Sequence, residues 1–430
     1  MQFQLFLYIL VAVFFNQSLE DVPYVDRECG TDLNNLWLDV VAVVDNSVGM
    51  TDEGLDSRAS SEVSMESIAE VARGGASLEP EHHLSFQVAA NLASVFSAGT
   101  RIGTNPTEPR TTRLGLVTYN SRAQQNADLN RYQSLDDLYN GVFGDLARVS
   151  TSYESYLSFG LVAAENLFNA ENLYTSRSHF QKVVIVYASA YRGSGEQDPL
   201  PVANRLKTSG VKIVTVAYDQ NGDGTLLKQL SQIASAGYDF SSQDNEGNII
   251  GQVQGALLES NCFCPNNWVQ YRENYSNINS YSYGVCFQAV SLTAVWRAAK
   301  MSCANRWNDS YLVNEFNQDK HDFVLQIVNN TLGFNEPFSY HIGLNLVKGV
   351  WMWDRPTGWE QPVLTRWYNW DQGFPIASST FNAALNQQNS EQLITKWENI
   401  DYYKTAAHYV CETASCDTDN YCSSDGRMDE

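Results

Sequence analysis

Residues 36–49 read LWLDVVAVVDNSVG. From Leu38 to Val44 every position except Asp39 is aliphatic, without the alternation of a half-exposed strand, so the run suits a strand covered on both faces. It stops at Asp45, with Ser47 two residues on. Three more such runs follow: LGLVTYN at 114–120, KVVIVYAS at 182–189 and VKIVTVAYD at 211–219. Between them, SFQVAANLASVF at 85–96, SYLSFGLVAAENLF at 155–168 and NRLKTSG at 204–210 carry helical spacing. Buried strands alternating with helices predict a doubly wound α/β domain over residues 36–260. Ligands of such folds meet the carboxyl ends of the strands. Asp45 is therefore expected at a crevice, its carboxylate solvated rather than buried. Asp and Ser at a strand end also cap a following helix, but 51–80 is rich in Ser, Glu and Gly, and the next strong helical pattern begins only near Leu84.

The chain has 430 residues, 43% hydrophobic and 12% aromatic, enough for two or three domains with their own cores. Its 27 Lys+Arg against 49 Asp+Glu give a net charge of −22, which repels nucleic acid and anionic membranes. An apolar block from Leu5 to Phe15 precedes the small residue Ser18, so residues 1–18 are expected to be a secretory signal peptide, although no Lys or Arg opens it. No later segment approaches the roughly 20 apolar residues of a transmembrane helix. Eight cysteines, seven of them after residue 260, fit disulfides of a secreted chain better than metal thiolates. Asn274, Asn308 and Asn329 each open an Asn-x-Ser/Thr sequon, the expected glycosylation positions.

The strand ending in Asp-x-Ser-x-Gly, then TRLGLVTYNS at 112–121, SYLSFGL at 155–161 and KVVIVYAS, in this order, resemble a von Willebrand factor type A domain. In that family three loops hold a divalent cation through hydroxyls and carboxylates, and an acidic group of a partner completes its octahedron. The resemblance carries the metal-site positions onto Asp45, Ser47, Gly49, Ser155 and Ser189. The match is incomplete, because Gly49 stands in place of a serine and Ser189 in place of an aspartate. One carboxylate with two or three hydroxyls makes a poor cage for Mg²⁺. No resident cofactor is expected, with weak Mg²⁺ or Ca²⁺ binding as the alternative. DQNGDG at 219–224 opens like an EF-hand loop, but Leu230 stands where its bidentate Glu belongs, so a turn after the strand is the expected reading.

Beyond residue 260 the composition changes. Residues 262–411 hold the three sequons, five cysteines and most of the ten tryptophans, with few long apolar runs, which predicts a loop-rich α+β domain stapled by disulfides. The series CFCPNNWVQY, YGVCF, WRAAKMSC, HIGLNL, WMW, WYNWDQGFP and AAHYVCE resembles a C-type lectin-like domain along residues 262–412, with an acidic tail at 413–430. The resemblance implies that Cys264 pairs with Cys286 and Cys303 with Cys411. Of the remaining four, Cys29 is expected with Cys262 and Cys416 with Cys422, the other pairings staying open. The family binds sugar through a calcium ion held by Glu-Pro-Asn or Gln-Pro-Asp in a long loop and by Trp-Asn-Asp on a late strand. Here the first motif falls on Phe374, Pro375 and Ile376, which cannot ligate calcium, and the second reads Trp397, Glu398, Asn399. Calcium-dependent sugar binding is accordingly not expected. The resemblance assigns Trp351, Trp353 and Trp370 to the core, leaving Trp359 and Trp367 as candidates for stacking on a ligand.

The six histidines show no metal-ligand spacing, and no nucleophile elbow, phosphate loop or dinucleotide fingerprint occurs, so no enzyme is expected. A type A domain joined to a C-type lectin-like domain is similar to a family of secreted nematode proteins. It implies an extracellular recognition or adhesion protein with a protein or glycan partner, plausible in innate immunity. A calcium-dependent lectin and a metal-dependent adhesion module are the alternatives.

Overall fold

The computed structural model describes residues 26–50, 83–97, 99–105, 107–171, 177–219, 222–242 and 248–423. The expected signal peptide and the end of the acidic tail lie outside them. The chain divides into two compact units. One takes residues 29–265 together with 415–423; the other takes 26–28 together with 266–414.

In the first unit the elements run β1 (Leu38–Asp45), α1 (His83–Val95), β2 (Arg113–Tyr119), β3 (Ala123–Ala127), α2 (Leu135–Leu146), α3 (Leu157–Glu171), β4 (Gln181–Ala188), α4 (Leu200–Thr208), β5 (Lys212–Ala217), α5 (Thr225–Leu230), β6 (Asp239–Ser241) and α6 (Ile249–Ser260). The sheet order is β3-β2-β1-β4-β5-β6, with only the edge pair β2–β3 antiparallel. Every residue of β1 is buried. Leu38, Val40, Ala42 and Val44 face one core with α1, α2 and α6, while Val41 and Val43 face the other with α3 and α4. Each buried valine contributes about 1.5–3 kcal/mol, which is why an unbroken aliphatic run settles in the sheet's centre.

Asp39 interrupts that run, and its burial is offset by two arginines. Arg113 Nη2 lies 2.7 Å from Oδ2, and Arg177 Nη2 lies 3.0 Å from Oδ1. Edge strand β3 is polar, as edges that resist further pairing are. Residues 415–423 do not trail as a tail: Trp37 Nε1 donates to the Asp417 carbonyl at 2.9 Å, and Cys416, Asp417 and Thr418 are buried.

In the second unit an eight-stranded sheet runs β13-β12-β10-β14-β8-β7, with β11 paired to β10 and β9 to β14. The strands are β7 (Val269–Arg272), β8 (Ser282–Val295), β9 (Tyr311–Leu312), β10 (Ser339–Val347), β11 (Val350–Trp353), β12 (Ala383–Gln388), β13 (Thr395–Ile400) and β14 (Ala406–Ala414), with helices α7 (Trp296–Ala304) and α8 (Gln318–Asn329). The bonds Cys303–Cys411, Cys29–Cys262 and Cys416–Cys422 are present, Cys264 and Cys286 are also disulfide-bonded, and no cysteine is free. Among the described residues no helix is long and apolar enough to cross a membrane.

Candidate functional site

Strand β1 delivers Asp45 to the carboxyl end of the sheet, but the carboxylate is not solvated as expected; the residue is only 2% exposed. It is buried because its neighbours supply the hydrogen bonds that water would. Oδ1 accepts from Ser47 N at 2.9 Å. Oδ2 accepts from Ser155 Oγ at 2.9 Å, from Ser189 Oγ at 2.7 Å and from Ser189 N at 3.3 Å. The fold thus brings Asp45, Ser47, Ser155 and Ser189 together. Gly49 stands against them, since a Cβ there would lie 2.7 Å from Ser189 Oγ. Beneath, burial first and the Asp45 charge second push the Tyr119 phenol well above its ordinary pKa.

The donor set fits a tightly held divalent ion poorly. Such ions take hard oxygens and give up water only where charge offsets the loss. Among the described residues Asp45 is the one carboxylate hydrogen-bonded to these serines, both of its oxygens already accept hydrogen bonds, a hydroxyl holds the place of the second carboxylate, and Asp219, on the wall of the cavity before them, is engaged by the N–H groups of Gly222 and Gly224.

In front of these residues lies a cavity of about 400 Å³, lined among others by Ser47, Ser189, Tyr153, Arg192, Asp219 and Asp223. The expected turn at 219–224 falls partly outside the described residues, which lack 220 and 221; Asp219 accepts from Gly222 N at 3.1 Å and Gly224 N at 2.8 Å, and Gly224, at φ 71°, leads into α5. Arg192 Nη1 donates to the Tyr153 carbonyl at 2.6 Å across the cavity's rim. Spacing alone does not bring 153, 192 and 219 together, so sequence reasoning missed this wall. Its one signal was that 189 and 219 both end apolar runs.

In the second unit Asn399 does not face solvent. Its Oδ1 accepts from Ile376 N at 2.7 Å, and its Nδ2 donates to the carbonyls of Ile376 at 2.9 Å and Phe381 at 3.0 Å. The amide that could have served a calcium ion braces the loop instead. Phe374 and Pro375, joined by a cis peptide, offer no ligating side chain, and Ile376 is 45% exposed. Burial and then the neighbouring Asp371 charge push the Glu398 carboxyl upward. Trp359 is 57% exposed, whereas Trp367 is half-buried, its ring 5.1 Å from that of Trp397. Trp367 is therefore part of the packed aromatic cluster rather than a surface platform. Asn274 and Asn329 are exposed and Asn308 half-buried.

The second unit also buries carboxylates that periodicity did not reveal, Glu315 and Glu412 among them. Glu315 accepts from Tyr340 Oη, His321 Nδ1, Asn386 Nδ2 and Trp397 Nε1 at 2.7–3.2 Å. Glu412 accepts from Tyr311 Oη, Lys320 Nζ and Asn314 N at 2.9–3.0 Å. Both are internal anchors that hold the strands to the helix α8 side.

Residues 79–255 match the family model of the von Willebrand factor type A domain, a stretch that begins after β1 and leaves Asp45, Ser47 and Gly49 outside it. The chain is 25% identical over 410 residues to C-type lectin domain-containing protein 160 of Caenorhabditis elegans, covering 92% of this chain and 56% of that protein. It thus spans little more than half of that relative. Among solved structures, proximal thread matrix protein 1 of the mussel byssus covers 53% of this chain and 47% of its own, at 19% identity and a TM-score of 0.36. Human lithostathine covers 35% of this chain and 90% of its own, at 20% identity and a TM-score of 0.27.

Proposed function

We propose that this chain, which joins a von Willebrand factor type A domain to a disulfide-stapled C-type lectin-like domain, is an extracellular recognition or adhesion protein that binds protein or glycan partners without a resident metal ion and catalyses nothing. The observation that carries the reading is the state of Asp45, whose two oxygens are satisfied by serine hydroxyls and backbone amides while Ser189 takes the place of a second carboxylate. Asn399, turned inward to brace its loop, supports the same view of the second domain. Eight bonded cysteines suit an oxidising compartment. A part in innate immunity rests on the family resemblance alone.

Calorimetric titration of the full chain with Mg²⁺ and Ca²⁺, repeated on Asp45→Ala and Asn399→Ala, tests it. No saturable heat with either ion is expected. Saturable heat lost in Asp45→Ala returns the first domain to metal-dependent adhesion, and heat lost in Asn399→Ala returns the second to calcium-dependent sugar binding. The exposed indole of Trp359 favours a second reading, sugar stacking without calcium. It predicts that Trp359→Ala, and not Trp367→Ala, abolishes binding on a glycan array run in chelator.

A further inference from the structure

The cavity before Asp45 has a polarity that its lining residues set. Ser189 directs its hydroxyl proton inward onto Asp45 Oδ2 at 2.7 Å, so what its oxygen offers on any other side is lone pairs. Ser47, 3% exposed, lines the same cavity, and among the described residues its hydroxyl makes no hydrogen bond; only its backbone N binds Asp45. A hydroxyl that opens to a cavity from an otherwise buried residue, with no described group to bond, marks a place for a ligand's polar atom. Two more carboxylates, Asp219 and Asp223, stand on the wall against one guanidinium, Arg192, and Tyr153 and Tyr191 add aromatic surface of the kind that attracts cations. With Asp45 behind the serines, the balance at the cavity is negative, inside a chain whose own net charge is −22.

We propose that this cavity binds a single protonated amine, the side-chain ammonium of a lysine presented by a protein partner, in the position where a divalent ion would otherwise bridge to an acidic partner. The physical distinction is one of charge. A divalent ion needs several anionic ligands before it releases its water, whereas a monovalent ammonium with three donors is matched by two serine oxygens and one carboxylate. The loss of the second carboxylate at Ser189 therefore reverses the sign of the partner from acidic to basic. This rests on the proposal that the first domain recognises partners without a metal.

The test uses the full chain in chelator and three probes: Nα-acetyl-lysine methylamide, the norleucine analogue that lacks the ammonium, and the glutamate analogue. Binding is followed by calorimetry at low and at 0.5 M salt. The lysine probe is expected to bind, more weakly at high salt, and to exceed both analogues by roughly tenfold or more, the worth of a charge-assisted hydrogen bond. Ser47→Ala and Asp223→Asn should each weaken it by a similar factor with an unchanged melting temperature. Asp223→Asn keeps the acceptor that Asp223 offers Thr225 N at 2.9 Å, so it removes charge without removing that local hydrogen bond. Equal binding of lysine and norleucine probes, stronger binding of the glutamate probe, or indifference to both substitutions overturns the proposal. If the lysine probe fails while Mg²⁺ and Ca²⁺ are silent, only the cationic partner is lost. If the glutamate probe binds once Mg²⁺ is added, the metal-free reading falls as well.

Discussion

Ser189 is the residue on which the first domain's chemistry turns. An aspartate there would set two carboxylates against each other, and like charges so close cannot both stay ionised without a cation between them. Ser189→Asp is therefore expected to lower the melting temperature in chelator and to regain it in Mg²⁺, whereas the natural chain should melt alike in both; a melting curve in each buffer decides. In the second domain, Glu315 and His321 form a buried pair at 2.8 Å. Burial disfavours charge on both, but their mutual attraction and the other donors on Glu315 override it, so His321 is raised above 6.5 and Glu315 lowered below 4.5. Stability from a raised histidine is complete below 6.5 and lost as pH climbs through the folded value. Stability from a lowered carboxylate is complete above 4.5 and lost as pH falls through the folded value. The domain should thus be most resistant to urea between those values and weaken on either side. His321→Leu, which leaves Glu315 unpaired, should cost about 3–5 kcal/mol; a midpoint flat from pH 5 to 9 in the natural chain would show that the pair carries no charge.

At the scale of elements, the approach of α3 to β1 is set by Gly160. A Cβ there would lie 2.6 Å from Val43 Cγ1 and 3.0 Å from Tyr119 Cδ1, closer than packed atoms come. Alanine gains roughly 1 kcal/mol of helix propensity, but overpacking against a rigid β-branched neighbour costs about 1–3 kcal/mol. Gly160→Ala is expected to destabilise the first domain, and because α3 begins just after Ser155 it should also disturb the hydrogen bonds to Asp45. A urea midpoint at or above that of the natural chain would show that the helix shifts freely. The four long strands were legible because an aliphatic run covered on both faces has no other stable place. Strand β3 was not, because AQQNA carries no hydrophobic pattern and is a strand only through its pairing with β2.

At the scale of the whole molecule, Cys29–Cys262 joins residues 233 apart and closes the first domain's chain. In the chain-entropy picture a loop of that length is worth about 5 kcal/mol. Replacing both cysteines by serine should lower that domain's unfolding free energy by several kcal/mol. A loss below about 1 kcal/mol, measured by denaturant unfolding, would mean that Trp37 and the buried segment 415–423 hold the ends unaided. The pairings came from the resemblance and from an even count, but nothing in the composition of 413–430 told that its first part is core. A segment with Asp417 and Asp419 reads as solvated until Asp417 is found satisfied by the backbone of Asp419 and Asn420.

What the amino-acid order determined by itself is the alternation of buried strands and helices and the change of character near residue 260, because both follow from local side-chain chemistry; the replacement of ligating residues at 49, 189 and 374–376 is legible only through the family resemblances. What only the tertiary structure decided is whether a polar group is free. Asp45 was read as solvated and is buried, Trp367 was read as exposed and is packed, and Asn399 is turned inward. In each case the answer depends on donors or rings brought from positions far along the chain, and hydrogen-bond satisfaction is a property of the space around a group, which linear spacing does not contain.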